Sequence, residues 1–570
     1  MSPEPAEWKA IAQQKKDEQW SRIPPEWRLK NLPPKDVTNY LDIPRTCGLL
    51  SAEELQITEN YDATALAEGI KKRRLKSVDV VRAFCKRAAI AHQLTTCLTE
   101  IFFTDALARA AELDAHLASG KPPLGPLHGV PVSLKDSFKI KGYDASIGMT
   151  ALAFRPAQQN STLVDVLLGA GAVLYVKTNV PQTLAALDSH NWVFGRTLNP
   201  HNTLSTAGGS SGGEGALLAL RGSILGIGTD VGGSIRIPAM CNGLYGLKPS
   251  CERIPYSGQE SGTLPGQDRL GLKASAGPLA HSMRDIELFF RAVAGQRPWE
   301  LDADVVPGPW ETLAAAPPRT KLRIGVVRRD DVADPLPPIA RLLGEVATAL
   351  HQAADIEVVD LDIAPLLSQC ATLANALFSP DGNTHILSLL ASTSEPLSPW
   401  LSSRLGQKPE LSLAALRDLH ARREALQMQF LDVWKGAAGL AGGQGIDALI
   451  CPVAAHPVPL IDCWNGVSYT SAFVVLDCAA GTLPVRVFGE AEMRGEGEAC
   501  EPLGSWDKAN RKLWTHTPRS AYLNTPLCIQ VVAPKLQERR LCDVMQRIDD
   551  AVKAAGLGGQ AGAGVAAAKL

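Results

Sequence analysis

The chain has 570 residues, and its 57 Lys and Arg nearly balance its 59 Asp and Glu, so the formal net charge is only −2. That balance excludes the basic surface expected of a nucleic-acid-binding protein. With 45% hydrophobic residues the chain can build a large core, and its length, above the roughly 250–300 residues of one core, by itself favours two domains.

Cysteine usage and the N-terminal residues bear on the cellular compartment. The twelve cysteines are scattered from Cys47 to Cys542 without a C-x-x-C pair or a His-rich cluster, which argues against a metal site or a disulfide framework and favours reduced thiols. Residues 8–18 are polar and charged, unlike a signal peptide. The sequence contains no run of 18 apolar residues, the length that would predict a transmembrane helix. We therefore predict a cytoplasmic protein without a metal; peripheral membrane contact is left open.

The first elements along the chain are predicted to be helical. Residues 1–60 carry helical segments interrupted by the pairs Pro24-Pro25 and Pro33-Pro34, which indicates an arm that packs on the core or on a partner subunit. Apolar residues spaced by three and four predict helices across residues 62–118, one of them with Ser77 as its N-cap.

The next elements predict a sheet. In residues 129–136, GVPVSLKD, an apolar strand-like run ends on Lys135, which would lie at the mouth of a sheet. A helix over 161–168 and a buried strand over 172–176 follow, and this succession supports a sheet covered by helices on both faces.

Two glycine-flanked serine sites lie between residues 207 and 249. The first, GGSSGG, contains Ser210 and Ser211, and the second, GTDVGGSIR, contains Ser234; an apolar helix and a strand over 224–227 separate them. Such a density of glycine indicates tight backbone turns or close approach of the backbone to a ligand. Serine is a weak nucleophile that needs a base, and the nearest plausible base is Lys135. Lysine acts as a base only when neutral, and burial lowers its pKa.

A different reading of the first site makes Ser211 the nucleophile of an esterase of the α/β-hydrolase type, because residues 209–213 fit G-x-S-x-G. That arrangement requires a hydrophobic strand directly before the serine, whereas residues 199–206 are polar. The same glycines and serines could also form a flexible linker. The polar stretch disfavours the esterase reading, and the ordered occurrence of the lysine strand and the two serine sites disfavours the linker.

The C-terminal half alternates between strand and helix patterns. We predict strands over residues 322–327, 356–363, 447–453, 482–488 and 526–532, and helices over residues 276–293, 339–353, most of 366–436, 468–481 and 539–554. The Gly- and Ala-rich residues after Ala555 are predicted to be disordered.

The three motifs GVPVSLKD, GGSSGGEGA and GTDVGGSIRIPA resemble the amidase signature family of serine hydrolases in order, wording and spacing. DALICPVA, TLPVRVF and NTPLCIQVVAP extend the resemblance over nearly the whole chain, and IPPEWRL resembles the N-terminal arm of fungal acetamidase-type enzymes. The resemblance implies an α/β fold with a single large α/β/α core and a mixed central sheet covered by helices. It divides the chain into an arm over 1–60, a catalytic domain over 61–555 with a helical insertion at about 364–440, and a flexible tail over 556–570.

The resemblance also implies a Ser-cisSer-Lys triad. Lys135 is then the terminal base, Ser234 the nucleophile, and Ser210 the bridging serine, reached through a cis peptide from Gly209 and hydrogen-bonded between the other two. The backbone N–H groups of Val231, Gly232, Gly233 and Ser234 would form the oxyanion hole, and Ser234 is predicted to begin a helix.

Three further side chains are expected to support the triad. Asp230 could accept hydrogen bonds from the N–H groups of the Ser234 turn or pair with Arg236, and Ser211 is predicted to form a hydrogen bond near Lys135. The helical insertion and Met149 with its neighbours are expected to form the wall of the acyl pocket.

The reaction implied is hydrolysis of a small carboxylic amide to acid and amine or ammonia through a seryl acyl-enzyme, with no cofactor. The alternative from another class is the amidase-like subunit of a tRNA-dependent amidotransferase, active only with its partners. A homodimer is left open.

Overall fold

The structure is a computed structural model that describes residues 7–34, 36–310, 321–436, 443–497 and 500–558. Within them the chain forms thirteen strands: β1 Leu98–Ile101, β2 Pro131–Lys135, β3 Val173–Thr178, β4 His190–Asn191, β5 Gly195–Arg196, β6 Leu225–Asp230, β7 Tyr245–Lys248, β8 Ser275–Ala280, β9 Leu322–Val326, β10 Ile356–Asp360, β11 Ala448–Pro452, β12 Ala479–Val487 and β13 Pro526–Ala533.

The described residues also form seventeen α-helices: α1 Glu7–Ser21, α2 Ile43–Thr46, α3 Ala52–Asn60, α4 Ala63–Lys71, α5 Ser77–Thr95, α6 Phe103–Ala118, α7 Thr162–Gly169, α8 Gly212–Ala219, α9 Arg236–Asn242, α10 Met283–Gly295, α11 Pro337–Gln352, α12 Ala364–Leu377, α13 Thr384–Ser392, α14 Leu413–Lys435, α15 Ser468–Val475, α16 Ser505–Thr515 and α17 Glu538–Ala554. None of these helices is long and apolar enough to cross a membrane.

Eleven of the strands form one sheet in the order β1-β3-β2-β6-β8-β7-β12-β13-β11-β9-β10, and β4 pairs with β5 separately. Strand β2 runs parallel to β3 and β6, and β9 runs parallel to β10 and β11, whereas the remaining neighbours are antiparallel. The side chains of β2, β3, β6, β7 and β8 are buried throughout, as expected where helices cover both faces. The predicted α/β fold with a mixed central sheet is confirmed.

Several predicted elements differ from the structure. Strand β1 lies within the stretch predicted to be all helical, and the helix predicted to begin at residue 276 begins at Met283, because the preceding residues form β8 between β6 and β7. The helix predicted over 468–481 ends at Val475, and residues from Ala479 join β12. The predicted flexible tail over 556–570 falls outside the described residues from residue 559 onward.

The start of α5 uses a cap from another helix. Ser77 is the first helical residue and not the N-cap. The N–H groups of Ser77 and Val78 donate to the carboxylate of Asp114 on α6, at 2.8 and 3.0 Å. The first N–H groups of any helix have no acceptor within the helix, and the Asp114 carboxylate accepts hydrogen bonds from two of them here.

The N-terminal helix α1 is tied to the rest of the molecule by buried charges. Lys15 is 3% exposed, and its Nζ lies 2.6 Å from Glu100 Oε1 and 2.8 Å from Asp144 Oδ2. Arg22, directly after α1, lies 2.6 Å from Glu100 Oε2. Burial alone would lower the pKa of Lys15, but these carboxylates hold it above its ordinary value.

Helices α12, α13 and α14 occupy the region predicted to be mostly helical. Leu390 of α13 packs with Ile147 and Met149 in one apolar cluster. Glu395, which follows α13, accepts hydrogen bonds from the Thr150 N–H at 2.7 Å and from Gln182 at 2.6 Å, which fastens this region to the segments before and after β3.

Candidate active site

Lys135 is the last residue of β2 and Asp230 is the last residue of the adjacent parallel strand β6. Because parallel strands end at the same edge of a sheet, the two residues are brought to one place together with the loops that follow them. The side chain of Lys135 is completely buried. Its Nζ donates to Ser210 Oγ at 2.7 Å and to Thr229 Oγ1 at 2.8 Å.

The proton affinity of Lys135 is altered by this burial. Burial lowers the pKa of Lys135 from its ordinary value to about 7, while the charges of Asp230 and Glu214 act in the opposite direction. At neutral pH an appreciable fraction of the amine is therefore uncharged. In that form Nζ accepts the hydrogen bond from the Ser210 hydroxyl, and it can take up a proton.

Ser210 lies in the turn that leads into α8. The peptide bond between Gly209 and Ser210 is cis, as predicted. The next residue, Ser211, donates its backbone N–H to the carbonyl oxygen of Ser234 at 3.2 Å, so the two serine loops are joined directly. The buried hydroxyl of Ser211 has no hydrogen-bond partner among the residues that the structure describes, and the bond predicted for it near Lys135 is not formed there.

A buried ion pair shapes the turn that carries Ser234. Asp230 accepts hydrogen bonds from the N–H groups of Gly233 at 2.7 Å and Ile235 at 3.1 Å, and Arg236 donates to both of its carboxylate oxygens at 3.0 Å. Both interactions considered for Asp230 are therefore present. Burial would raise the pKa of Asp230, but the adjacent Arg236 and these hydrogen bonds hold it at about 2.

Arg236 and Thr470 connect this turn to the opposite side of the site. The remaining guanidinium nitrogen of Arg236, Nη1, donates to the Thr470 carbonyl at 2.8 Å and to Gln530 Oε1 at 2.7 Å. The Thr470 hydroxyl donates to the Gly232 carbonyl at 2.5 Å. Gly233 has φ +140°, and a Cβ there would lie 2.5 Å from Thr470 Oγ1, so only glycine fits this turn.

Ser234 is the accessible member of the set, with 8% of its surface exposed against 2% for Ser210. Within the described residues no hydrogen bond joins its hydroxyl to Ser210, so only the Lys135 half of the predicted relay is formed here. Helix α9 begins at Arg236, two residues later than predicted, and the Asp230 carboxylate accepts the N–H of Ile235 directly before it.

The predicted oxyanion hole is altered at one position. The N–H of Gly233 donates to Asp230, so this donor is not available to a substrate oxygen. Among the hydrogen bonds of the described residues, none uses the N–H groups of Val231, Gly232 or Ser234. These three groups are the candidates for binding an oxyanion.

Three residues of the site were missed from the sequence. Thr229 contacts Lys135, and Glu214 acts on it electrostatically. Phe378, directly after α12, lies over the oxyanion turn, since a Cβ on Gly232 would be 3.0 Å from its Cζ. Thr229 and Glu214 are polar residues within the quoted motifs, and this could have identified them as candidates. No local feature of the sequence marks Phe378.

No group of three or more His, Cys, Asp or Glu side chains that could hold a metal ion occurs in the described part of the chain. What the arrangement offers is an accessible serine hydroxyl, a buried amine that can be neutral, a hydroxyl in contact with that amine, and backbone donors beside the accessible serine. This is the equipment for nucleophilic attack on a carbonyl with proton transfer.

Comparison with known proteins agrees with this chemistry. The profile of the family described as Amidase matches residues 79–542. An acetamidase of Emericella nidulans is 35% identical over 550 residues, covering 95% of this chain and 98% of that protein. An acetamidase of Aspergillus oryzae is 35% identical over 553 residues, covering 95% of this chain and 98% of that protein.

A solved structure of a fatty acid amide hydrolase superimposes with a TM-score of 0.85 at 29% identity, covering 96% of this chain and 95% of that one. The family match, the identity to the fungal enzymes and the shared architecture all extend over most of the chain. The protein therefore belongs to the amidase family and is an amide-hydrolysing enzyme.

Proposed function

We propose that the chain hydrolyses a small carboxylic amide to the acid and an amine or ammonia through a seryl acyl-enzyme, with Ser234 as nucleophile, Ser210 as bridging serine and Lys135 as base. The observation that carries the proposal is the contact of the buried Lys135 Nζ with Ser210 Oγ at 2.7 Å. The direct link from the Ser211 N–H to the Ser234 carbonyl supports it, because it holds the two loops together.

The proton path follows from these positions. Neutral Lys135 takes the proton of the Ser210 hydroxyl, Ser210 takes that of Ser234, and the Ser234 oxygen bonds to the amide carbon. The carbonyl oxygen becomes an oxyanion that accepts hydrogen bonds from the N–H groups of Val231, Gly232 and Ser234. The Ser234–Ser210 hydrogen bond forms when substrate is bound, as catalytic hydrogen bonds often tighten only in the complex.

Collapse of the tetrahedral intermediate breaks the carbon–nitrogen bond. The Lys135 ammonium returns its proton through Ser210 to the leaving nitrogen, which departs as a neutral amine. Water then attacks the ester on Ser234 and gives its proton to the same relay, and the proton passes back to the Ser234 oxygen as the acid leaves. The enzyme is restored without a net change in protons.

An apolar acyl group suits the surroundings of the serine loop. A Cβ on Gly209 would be 2.5 Å from the Ala186 carbonyl, so this loop lies directly against residue 186. Ala186 packs with Trp400 and Leu401, and the neighbouring Leu184 packs with the cluster around Met149. We infer that these side chains bind the acyl part of the substrate.

The roles of the two adjacent serines can be separated by labelling. A serine-reactive phosphonate followed by peptide mapping should label Ser234, and Ser234→Ala should abolish both the label and amide turnover. Ser211→Ala is the matched control and should keep the label. A label on Ser211 would instead support the esterase arrangement and overturn the proposal.

Activity of the chain on its own distinguishes a complete amidase from a subunit that needs partners. The purified chain should hydrolyse simple amides, and a series of graded acyl length would define the preferred substrate. Turnover that appears only after addition of other proteins would support the amidotransferase alternative.

We further propose that the enzyme is cytoplasmic. In support, nine of its twelve cysteines are buried free thiols, as is usual in a reducing compartment. Fluorescence of the tagged protein confined to an organelle or the cell exterior would contradict this location.

A further inference from the structure

The carboxyl group of Glu214, on α8, lies in a notch between three strands of the sheet. It accepts a hydrogen bond from Ser133 of β2 at 2.5 Å and another from Thr178 of β3 at 2.9 Å. On the third strand, β6, a Cβ on Gly226 would be only 2.1 Å from Glu214 Oε2, so the notch exists because that residue is glycine. Glu214 is completely buried.

Each of these contacts adjoins Lys135. Ser133 precedes it by two residues on β2, and alternate residues of a strand face the same side. Thr178 is the residue paired with Lys135 in the register between β2 and β3. Gly226 is paired with Ser133 in the register between β2 and β6. Glu214 therefore braces the strand of Lys135 and both of its neighbours.

We propose that Glu214 is a positioning residue for the base of the reaction: its carboxyl group ties together the three strands among which Lys135 stands. The inference rests on the proposed function, because it assigns Lys135 as the base. Glu214 itself touches neither the substrate nor the reacting serine.

The protonation state of Glu214 suits a brace. Burial raises the pKa of Glu214 to about 8, although its hydrogen bonds and Lys135 oppose this shift. The carboxyl group is therefore mostly protonated at neutral pH, and an amide of the same shape can replace it with little change of charge. Among the described residues, the titratable groups that act with Glu214 are Lys135, Cys97 and Tyr175, and burial raises the pKa values of Cys97 and Tyr175, which keeps both neutral.

Removing the carboxyl group breaks the brace, whereas replacing it by an amide of the same shape keeps it. In Glu214→Ala the hydroxyls of Ser133 and Thr178 lose this acceptor, and the strand of Lys135 is no longer held in place. The rate of reaction should therefore fall on the order of 10²-fold, and Glu214→Gln should restore most of it.

The rate is measured in two ways on the full chain: as kcat/KM for a simple amide, and as the rate of phosphonate labelling at Ser234. Asp285→Ala is the matched control, because Asp285 is also a buried acid that accepts a threonine hydroxyl bond, but its partners lie at the start of α4. It should leave both rates at the wild-type level.

The outcomes separate the two claims. Rates that are unchanged in Lys135→Ala would overturn the proposed function, whatever Glu214 does. If Lys135 is required, wild-type rates in Glu214→Ala, or a Glu214→Gln variant as slow as Glu214→Ala, would overturn the role of Glu214 alone. If Glu214→Ala folds poorly, Ser133→Ala, which removes one hydrogen bond of the brace, should show a smaller loss of the same kind; wild-type rates there would equally count against the brace.

Discussion

The buried pair of Asp230 and Arg236 gives the sharpest test of how the Ser234 turn is held. Arg236→Met keeps an unbranched side chain but leaves Asp230 without its cation and the acceptors on Thr470 and Gln530 without their donor. Removing one partner of a buried ion pair costs about 3–5 kcal/mol, because the other charge stays buried. Activity should fall as well, on the order of the 10²–10³ lost with an oxyanion donor, because the turn no longer holds its N–H groups in place.

The expected change in melting temperature follows from the size of the protein. An unfolding entropy of about 2.1 cal/mol/K per residue, summed over the chain, gives roughly 1.2 kcal/mol/K, so the loss corresponds to about 3–4 °C. Because large proteins often unfold irreversibly, variants should be compared at a single scan rate.

A double-mutant cycle isolates the pair. Asp230→Asn combined with Arg236→Met should cost clearly less than the sum of the single changes, with a coupling energy of up to about 3 kcal/mol. Arg417→Met is the control, since Arg417 forms an exposed pair with Asp418. The reasoning would be refuted if the Arg236→Met protein had the same melting temperature as the Arg417→Met control and hydrolysed amides at the wild-type rate.

Three further predictions concern the base, the turn and the pocket. Activity should be half-maximal near pH 7 and fall about tenfold per unit below it, because burial lowers the pKa of Lys135 to about 7 and only the neutral amine is a base; a profile flat down to pH 5 would contradict this. Gly233→Ala should lower kcat sharply while KM changes less, because its Cβ would meet Thr470; wild-type kcat would argue against the turn geometry. Phe378→Ala should change the order of preference among amides of graded acyl length, whereas Leu413→Ala, at an 84% exposed position, should not; identical profiles would remove Phe378 from the pocket.

The strands of the sheet could be predicted only where the local pattern was distinctive. The run that ends on Lys135 is apolar and bounded by turn residues, and it forms β2. Strand β8 contains Gly277 and Pro278, which normally argue against a central strand. Its position between β6 and β7 is decided by pairing over long distances in sequence, which no local window contains.

Some features of the candidate site could likewise be predicted from the sequence, and others could not. Lys135, Ser210 and Ser234 stand in contiguous motifs, and Asp230 and Arg236 are close enough in sequence for their pairing to be considered in advance. The hydrogen bond that occupies the Gly233 N–H depends on the dihedral angles of one turn. The approach of Phe378 to Gly232 joins residues that are separated in sequence by four strands of the sheet, and periodicity carries no information about it.

The charges that attach α1 have a consequence for proton binding. Lys15 and Arg22 both form ion pairs with Glu100, and their charges oppose the rise in its pKa that burial causes. A Lys15→Met variant would keep the arm and the burial of Glu100 but lose one of these cations, so the pKa of Glu100 would rise further above its ordinary value. The stability of this variant relative to the wild type should then improve as the pH falls toward the ordinary range of carboxyl groups, because its folded state would bind more protons than the unfolded state. The arm thus lowers the free-energy cost of burying this carboxylate.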